Sequence, residues 1–158
     1  MRIKKVRDFM NKKVITISPD DTIFEAARKL CKYKISGAPV IKDGKLVGVI
    51  SVSDIVRFLD IKLSGLPKIQ TPGLSAIILA LFQMKKIHSN FKKELEKLKC
   101  FKVCEVMTKE VVTINPSASL IEAAELMDRY DVNRLPVVSK GKLVGIVARA
   151  DLIKALVE

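Results

Sequence analysis

Gly44-Lys45-Leu46-Val47-Gly48-Val49-Ile50-Ser51-Val52-Ser53-Asp54 returns 97 positions later as Gly141-Lys142-Leu143-Val144-Gly145-Ile146-Val147-Ala148-Arg149-Ala150-Asp151. Outward from this stretch the match runs without a gap over residues 10–57 and 107–154, with 18 identities in 48 aligned positions. Met10 pairs with Met107, Thr16 with Thr113, Pro19 with Pro116, Glu25-Ala26-Ala27 with Glu122-Ala123-Ala124, and Pro39-Val40 with Pro136-Val137. Most other pairs exchange one apolar residue for another. A unit of this size is marginal as a separate domain, so the two copies are expected to form paired lobes about a pseudo-twofold axis, with clefts between them.

Each copy reads as β-α-β-β-α. Val14-Ile15-Thr16-Ile17 is a β-rich tetrad closed by Pro19. Thr22-x-x-Glu25 and Ser119-x-x-Glu122 are capping boxes, which start a helix at each site. Its apolar stripe runs through Ile23, Ala26, Ala27 and Leu30 in one copy and Leu120, Ala123, Ala124 and Met127 in the other. A strand after Pro39 or Pro136, a tight turn at Asp43-Gly44 or Lys140-Gly141, and a strand over 46–50 or 143–147 then make a hairpin. A closing helix spans 52–59 and 149–157.

The middle of the chain has no counterpart. Residues 60–72 carry Gly65, Pro67 and Pro72 and read as a loop, and Thr71-Pro72 is a helix start. From there an amphipathic helix of about 73–99 shows a heptad seam of Leu74, Ile77, Leu81, Met84, His88, Phe91, Leu95 and Leu98. That seam suits packing on the molecule or on a second subunit, lying on a membrane surface through its lysines, or docking another protein.

Hydrophobic residues at 49% and charged residues at 29% are ordinary globular composition. No apolar run reaches bilayer length. The N-terminus is followed by no apolar segment of the secretory kind, so a cytoplasmic location is expected. Cys31, Cys100 and Cys104 cannot close a disulfide set, and Cys100 and Cys104 with His88 make only a weak metal pattern. The net charge of +12 divides as +6 over residues 1–60, +7 over 61–102 and −1 over 103–158. Such a field favours anionic partners: nucleotides, nucleic acid, a membrane surface or an acidic protein.

The sharpest chemical motif lies at the end of each hairpin. In the first copy a strand delivers the Ser51 hydroxyl to the start of a helix, where free backbone N–H groups attract an anion. Three residues on, the two acceptor oxygens of Asp54 suit the adjacent hydroxyls of a ribose. The competing interpretation is that Ser51-x-x-Asp54 is one more capping box. Ala148 cannot supply a hydroxyl while Asp151 is retained, which argues that capping alone explains the aspartate in only one copy.

With these residues in view, the chain resembles the cystathionine-β-synthase (CBS) domain, and two copies in tandem resemble a stand-alone CBS pair, or Bateman module. The resemblance rests on the β-α-β-β-α order, the proline-valine strand, the GKLVG turn and the glycine-apolar-apolar-serine-x-x-aspartate ending. It covers residues 6–59 and 103–157 and leaves 60–102 as a linker.

The resemblance implies an α/β regulatory module that is not an enzyme, with two three-stranded sheets packed together and two symmetry-related clefts. Such clefts take adenosine ligands: AMP, ADP, ATP or S-adenosylmethionine, sometimes NAD or a cyclic dinucleotide. On this chain it implies that Asp54 holds a ribose and Ser51 a phosphate, with Asp151 holding the ribose of the other cleft. The base would lie among Ile15, Thr16, Ile35, Ser36 and Ala38 in one copy and Val112, Thr113, Val132, Asn133 and Leu135 in the other, with an aspartate free to share the opposite repeat's pocket. Ala148 departs from the pattern, so the second cleft would need Arg149 or Arg134 to hold phosphate, and the clefts are expected to be unequal.

Three functions therefore compete: a homodimeric adenosine-ligand sensor that signals to a partner protein, a basic nucleic-acid-binding protein, and a purely structural oligomerisation module built on the inserted helix. No paired acid and base, nucleophile triad or firm metal set points to catalysis.

Overall fold

Asp43-Gly44 and Lys140-Gly141 turn the chain with both residues at positive φ, 50° and 75° in one copy and 50° and 76° in the other. That backbone suits the right-handed twist of paired strands, and glycine accepts the second position without a Cβ clash. The computed structural model, which describes residues 4–63 and 89–157, shows an antiparallel hairpin around each turn. The first joins β1 (Gly37–Lys42) to β2 (Lys45–Ser51), and the second joins β3 (Arg134–Ser139) to β4 (Lys142–Ala148). Register shifts after Val40 and after Val137, the same place in both copies. This bulge leaves Val47 and Val144 as the extra residues.

The tetrad expected to be a strand over 14–17 contributes only one pairing residue per copy. Ile17 bridges Val40 in parallel, and Ile114 bridges Val137. The neighbouring backbone groups are committed elsewhere: Lys29 Nζ donates to the Thr16 carbonyl at 3.1 Å, and the Ser18 N–H donates to Asp21 at 3.1 Å. Each sheet is therefore two-stranded with a one-residue third member, rather than three-stranded.

Helix α2 (Ile23–Tyr33) opens on a closed capping box, the Thr22 hydroxyl accepting from the Glu25 N–H and the Glu25 carboxylate accepting from the Thr22 N–H. Its counterpart in the second copy, Leu120–Arg129, forms only the hydroxyl half, with Ser119 accepting from the Glu122 N–H. Helix α3 (Val52–Leu63) follows β2 directly and runs four residues beyond the expected 59. Two short helices stand before the repeats' first bridges: α1 (Val6–Phe9) and, ahead of the second copy, Val103–Val106. Between the copies, α4 (Ser89–Leu98) is the described part of the inserted helix. In chain order α5 is Val103–Val106, α6 is Leu120–Arg129 and α7 is Arg149–Val157.

The lobes do not coincide with the repeats. Val6 belongs to the second lobe's core, with Ile114, Ala123, Met127, Leu135, Val137 and Val147, while Val103 belongs to the first lobe's, with Ile17, Ala26, Leu30, Val40 and Ile50. Each opening segment has crossed to the other copy, and backbone bonds fasten it there. The Asn11 N–H donates to the Ile146 carbonyl at 2.8 Å and receives the reciprocal bond at 3.0 Å. Thr108 and Val49 do the same at 2.9 and 3.0 Å. The crossing explains two matched identities. A Cβ on Gly48 would stand 2.6 Å from the Met107 sulfur, and one on Gly145 would stand 2.6 Å from that of Met10. Only glycine lets the exchanged segment approach so closely.

Of the heptad seam, Leu95 and Leu98 are buried against Phe24, Phe58, Leu59 and Phe101 of the first lobe. Phe58 and Phe101 meet edge to face with centroids 4.9 Å apart. The seam thus packs on its own molecule at these two positions. Leu74, Ile77, Leu81, Met84, His88 and the Phe91 side chain lie outside the described residues. Among the described residues nothing comparable covers the second lobe, where Ile121 and Leu156, the counterparts of Phe24 and Leu59, are 70% and 79% exposed.

Candidate functional site

Where β2 runs into α3, the Asp54 carboxylate turns back on Ser51. Its Oδ2 accepts from the Ser51 N–H at 2.9 Å and from the Ser51 hydroxyl at 2.7 Å, while Ser51 Oγ accepts from the Asp54 N–H at 3.2 Å. The capping box considered from sequence is therefore present. It uses one carboxylate oxygen and leaves the other side of a half-buried aspartate facing open space. In the second copy Asp151 Oδ2 likewise accepts from the Ala148 N–H at 2.9 Å. Contrary to the expectation from sequence, capping accounts for the aspartate in both copies, because the carboxylate half of a box needs a backbone N–H and no hydroxyl.

Asp54 borders a cleft of about 420 Å³ whose walls come from both repeats. The first supplies Ser36, Gly37, Ala38 and Pro39 of the strand entry, Val49 to Ser51 of β2, and Val52, Ser53, Asp54 and Arg57 of α3. The second supplies Thr108 of the exchanged segment, Glu110, Val111 and Val112 beyond it, Asp131 to Asn133 before β3, Arg134 and Pro136 of β3, and Ile146 of β4. Of the residues singled out from sequence, this cleft gathers Ser36, Ala38, Ser51, Asp54, Val112, Val132, Asn133 and Arg134. Asp54 shares its cavity with the opposite repeat's apolar wall, as the exchange of segments requires.

The remaining candidates stand elsewhere. Ile15, Thr16, Thr113 and Asp151 do not line this cleft. Ile35 packs on the first core, and Leu135 is fully buried in the second, with no surface to offer a ligand. Arg149 donates to the carbonyls of Met127 at 3.2 Å and Val132 at 3.4 Å, closing the C-terminal end of α6. Arg134, assigned from sequence to the cleft of Asp151, lines the cleft of Asp54 instead. Its Nη1 donates to the Gly37 carbonyl at 3.0 Å and its Nη2 to the Ser36 hydroxyl. Burial there lowers its pKa from the ordinary arginine value.

Sequence reasoning missed Arg57 and Glu110. Arg57 lies one helical turn after Asp54, a spacing that puts both on one face of α3, and this signal was readable. Its counterpart Lys154 is spent on an ion pair, Nζ to Asp151 Oδ1 at 3.6 Å. Glu110 follows the exchanged segment, and only the crossing brings it to Asp54. Among the described residues no group of three or more His, Cys, Asp or Glu side chains is placed to hold a metal ion, and no helix is long and apolar enough to cross a membrane.

Comparison with known proteins agrees with this architecture. The CBS domain family model matches residues 6–61 and 103–158. The uncharacterized protein MJ1426 of Methanocaldococcus jannaschii is 42% identical over 157 residues, spanning 98% of this chain and 92% of that protein. The crystal structure of CBSX2, a CBS-pair protein of Arabidopsis thaliana, in complex with AMP superposes with a TM-score of 0.67 at 28% identity, covering 98% of this chain and 96% of that one. The CBS domain pair of protein MJ0100, in complex with 5′-methylthioadenosine and S-adenosyl-L-methionine, gives 0.68 at 26% identity, covering 98% and 97%. With the family model matching both repeats over most of the chain, the chain belongs to the CBS domain family and carries two CBS domains in tandem.

Proposed function

We propose that this protein is a regulatory module that binds an adenosine-containing ligand in the cleft of Asp54 and passes the change to a partner protein. The observation that carries the proposal is the composition of that cleft: a carboxylate with one uncommitted oxygen, set beside apolar walls from two different repeats. Its volume of about 420 Å³ lies within the usual range for small-molecule sites, roughly 300–1,000 Å³. Asp54 Oδ1 would accept from the ribose hydroxyls while Oδ2 keeps its cap. The base would lie between Ala38 and Pro39 on one side and Val112 and Val132 on the other. The adenosine ligands of CBSX2 and of the MJ0100 domain pair support this reading.

Because the walls belong to two repeats, a ligand that touches both favours one relative arrangement of the lobes over others. It can shift that equilibrium only by the difference in its affinity for the arrangements. Arg134 reaches from the second repeat to Gly37 and Ser36 in the first, so its bonds are the contacts such a shift would alter first. Assembly as a homodimer and a cytoplasmic setting belong to the same proposal.

Calorimetric titration with AMP, ATP and S-adenosylmethionine, alongside thermal shift, tests the reading. Saturable heat that disappears in Asp54→Ala supports it. No heat and no shift at millimolar ligand defeats it.

A further inference from the structure

The cleft of Asp54 does not share the charge of the chain that contains it. The protein carries a net +12, yet among the described residues the ionisable side chains lining the cleft are Arg57 and Arg134 against Asp54, Glu110 and Asp131. The two cations are also unequal. Arg134 is tied to the Gly37 carbonyl and the Ser36 hydroxyl, which fixes its guanidinium across the two repeats and occupies two of its five N–H donors. Arg57 is exposed and forms no ion pair among the described residues, whereas its counterpart Lys154 is held by Asp151. Among the described residues, the unpaired Arg57, the hydrogen-bonded Arg134 and two exposed carboxylates beyond the ribose-binding aspartate remain to meet whatever hangs from the 5′ carbon.

From this balance we infer that the cleft selects an adenosine ligand whose 5′ substituent is cationic or neutral, such as the sulfonium amino acid of S-adenosylmethionine, over nucleoside polyphosphates. The inference rests on the adenosine reading above and narrows it. In the sulfonium amino acid the carboxylate meets Arg57, and the ammonium and sulfonium centres meet Glu110 and Asp131. A triphosphate brings about four negative charges to a rim that already carries two carboxylates, and like charges at such range disfavour binding. The basic surface of the first repeat and of α4 lies outside the cleft and helps only through a field that salt screens within about 10 Å.

The test is titration of the full chain with S-adenosylmethionine, 5′-methylthioadenosine, AMP and ATP at low and moderate salt. The expected order places S-adenosylmethionine about tenfold or more tighter than ATP. Glu110→Gln combined with Asp131→Asn should raise ATP affinity several-fold and lower that of S-adenosylmethionine. Both positions are exposed, and asparagine tolerates the positive φ of residue 131. ATP binding as tightly as S-adenosylmethionine, or an unchanged ratio in the double variant, overturns the charge selection and leaves the adenosine reading standing. Absence of binding by all four ligands overturns the adenosine reading and this inference with it.

Discussion

Arg134 Nη1 donates to the carbonyl oxygen of Gly37 at 3.0 Å, and the two residues are each other's counterparts in the repeat. A position that touches its own copy lies on the pseudo-twofold axis, where space for one large side chain exists only if the other copy gives it up. A Cβ on Gly37 would meet Arg134 Nη1 and the Ile50 carbonyl at 3.0 Å and Ser51 Cα at 3.3 Å. The duplicated sequence must therefore differ at this pair, and the inequality of the clefts follows partly from packing.

Gly37→Ala should destabilise the fold by about 1–3 kcal/mol through overpacking. Arg134→Ala should relieve part of that cost, because one of the crowded atoms is gone, while the Ile50 carbonyl remains in the way. Chemical denaturation of the two single variants and the double variant measures the coupling. Strict additivity would show that the contact across the axis carries no energy.

Capping and ligand binding can be separated at Asp54. Asp54→Asn keeps an acceptor for the Ser51 N–H, so stability should fall by less than about 1 kcal/mol, while ribose recognition by a carboxylate is lost. Ser51→Ala converts the first copy to the arrangement already present at Ala148 and should cost about 0.5–2 kcal/mol. Thermal melts paired with calorimetry distinguish the two. An Asp54→Asn variant that binds like wild type assigns the aspartate to the cap alone.

The equivalent faces of the two lobes should respond in opposite ways to a charge. Leu98→Asp places a carboxylate among Phe24, Phe58, Leu59 and Phe101 and should cost several kcal/mol, on the order of 3–5. Leu156→Asp, at a site 79% exposed, should change the stability of the isolated chain by less than about 0.5 kcal/mol. Denaturant titrations at low protein concentration read both.

Acid should weaken the first capping box. The Thr22 backbone N–H bonded to the Glu25 carboxylate holds that carboxyl below its usual range, helped by the Thr22 hydroxyl. The folded-state value is thus depressed, so this contribution is present above the unfolded glutamate pKa and is lost as pH falls through the folded value. Glu25→Gln should flatten the acid limb of the stability profile below about pH 5, and an unchanged limb would assign acid sensitivity to other groups.

What was legible in the sequence was local. Turns at Asp43-Gly44 and Lys140-Gly141, caps at Thr22 and Ser119, and the hairpins between them depend on residues a few positions apart, and they form where expected. The strand at 14–17 shrank to Ile17 because Lys29 and Asp21, distant or irregular partners, took its neighbours' backbone groups. The exchange of opening segments left no local trace: Val6 and Val103 are each one valine in a short helix, and nothing nearby states which core they enter. The site shows the same division. Asp54 and Ser51 were readable as a motif, whereas Glu110, and the placement of Arg134 beside Asp54, depend on how the copies cross.

The crossing also bears on how the chain is made. When residues 4–63 have emerged from a ribosome, the first repeat is finished as sequence but not as a lobe, since Val103 and Met107, which close its core and pack on Gly48, have not yet been synthesised. Val6 and Met10 meanwhile wait for a partner that comes still later, around Val147 and Gly145. The first lobe cannot close before Val103 and Met107 are available, and the second needs both Val6 and Val147. Each lobe is thereby completed only by residues of the other repeat, and a fragment holding one repeat alone would expose an unfinished core.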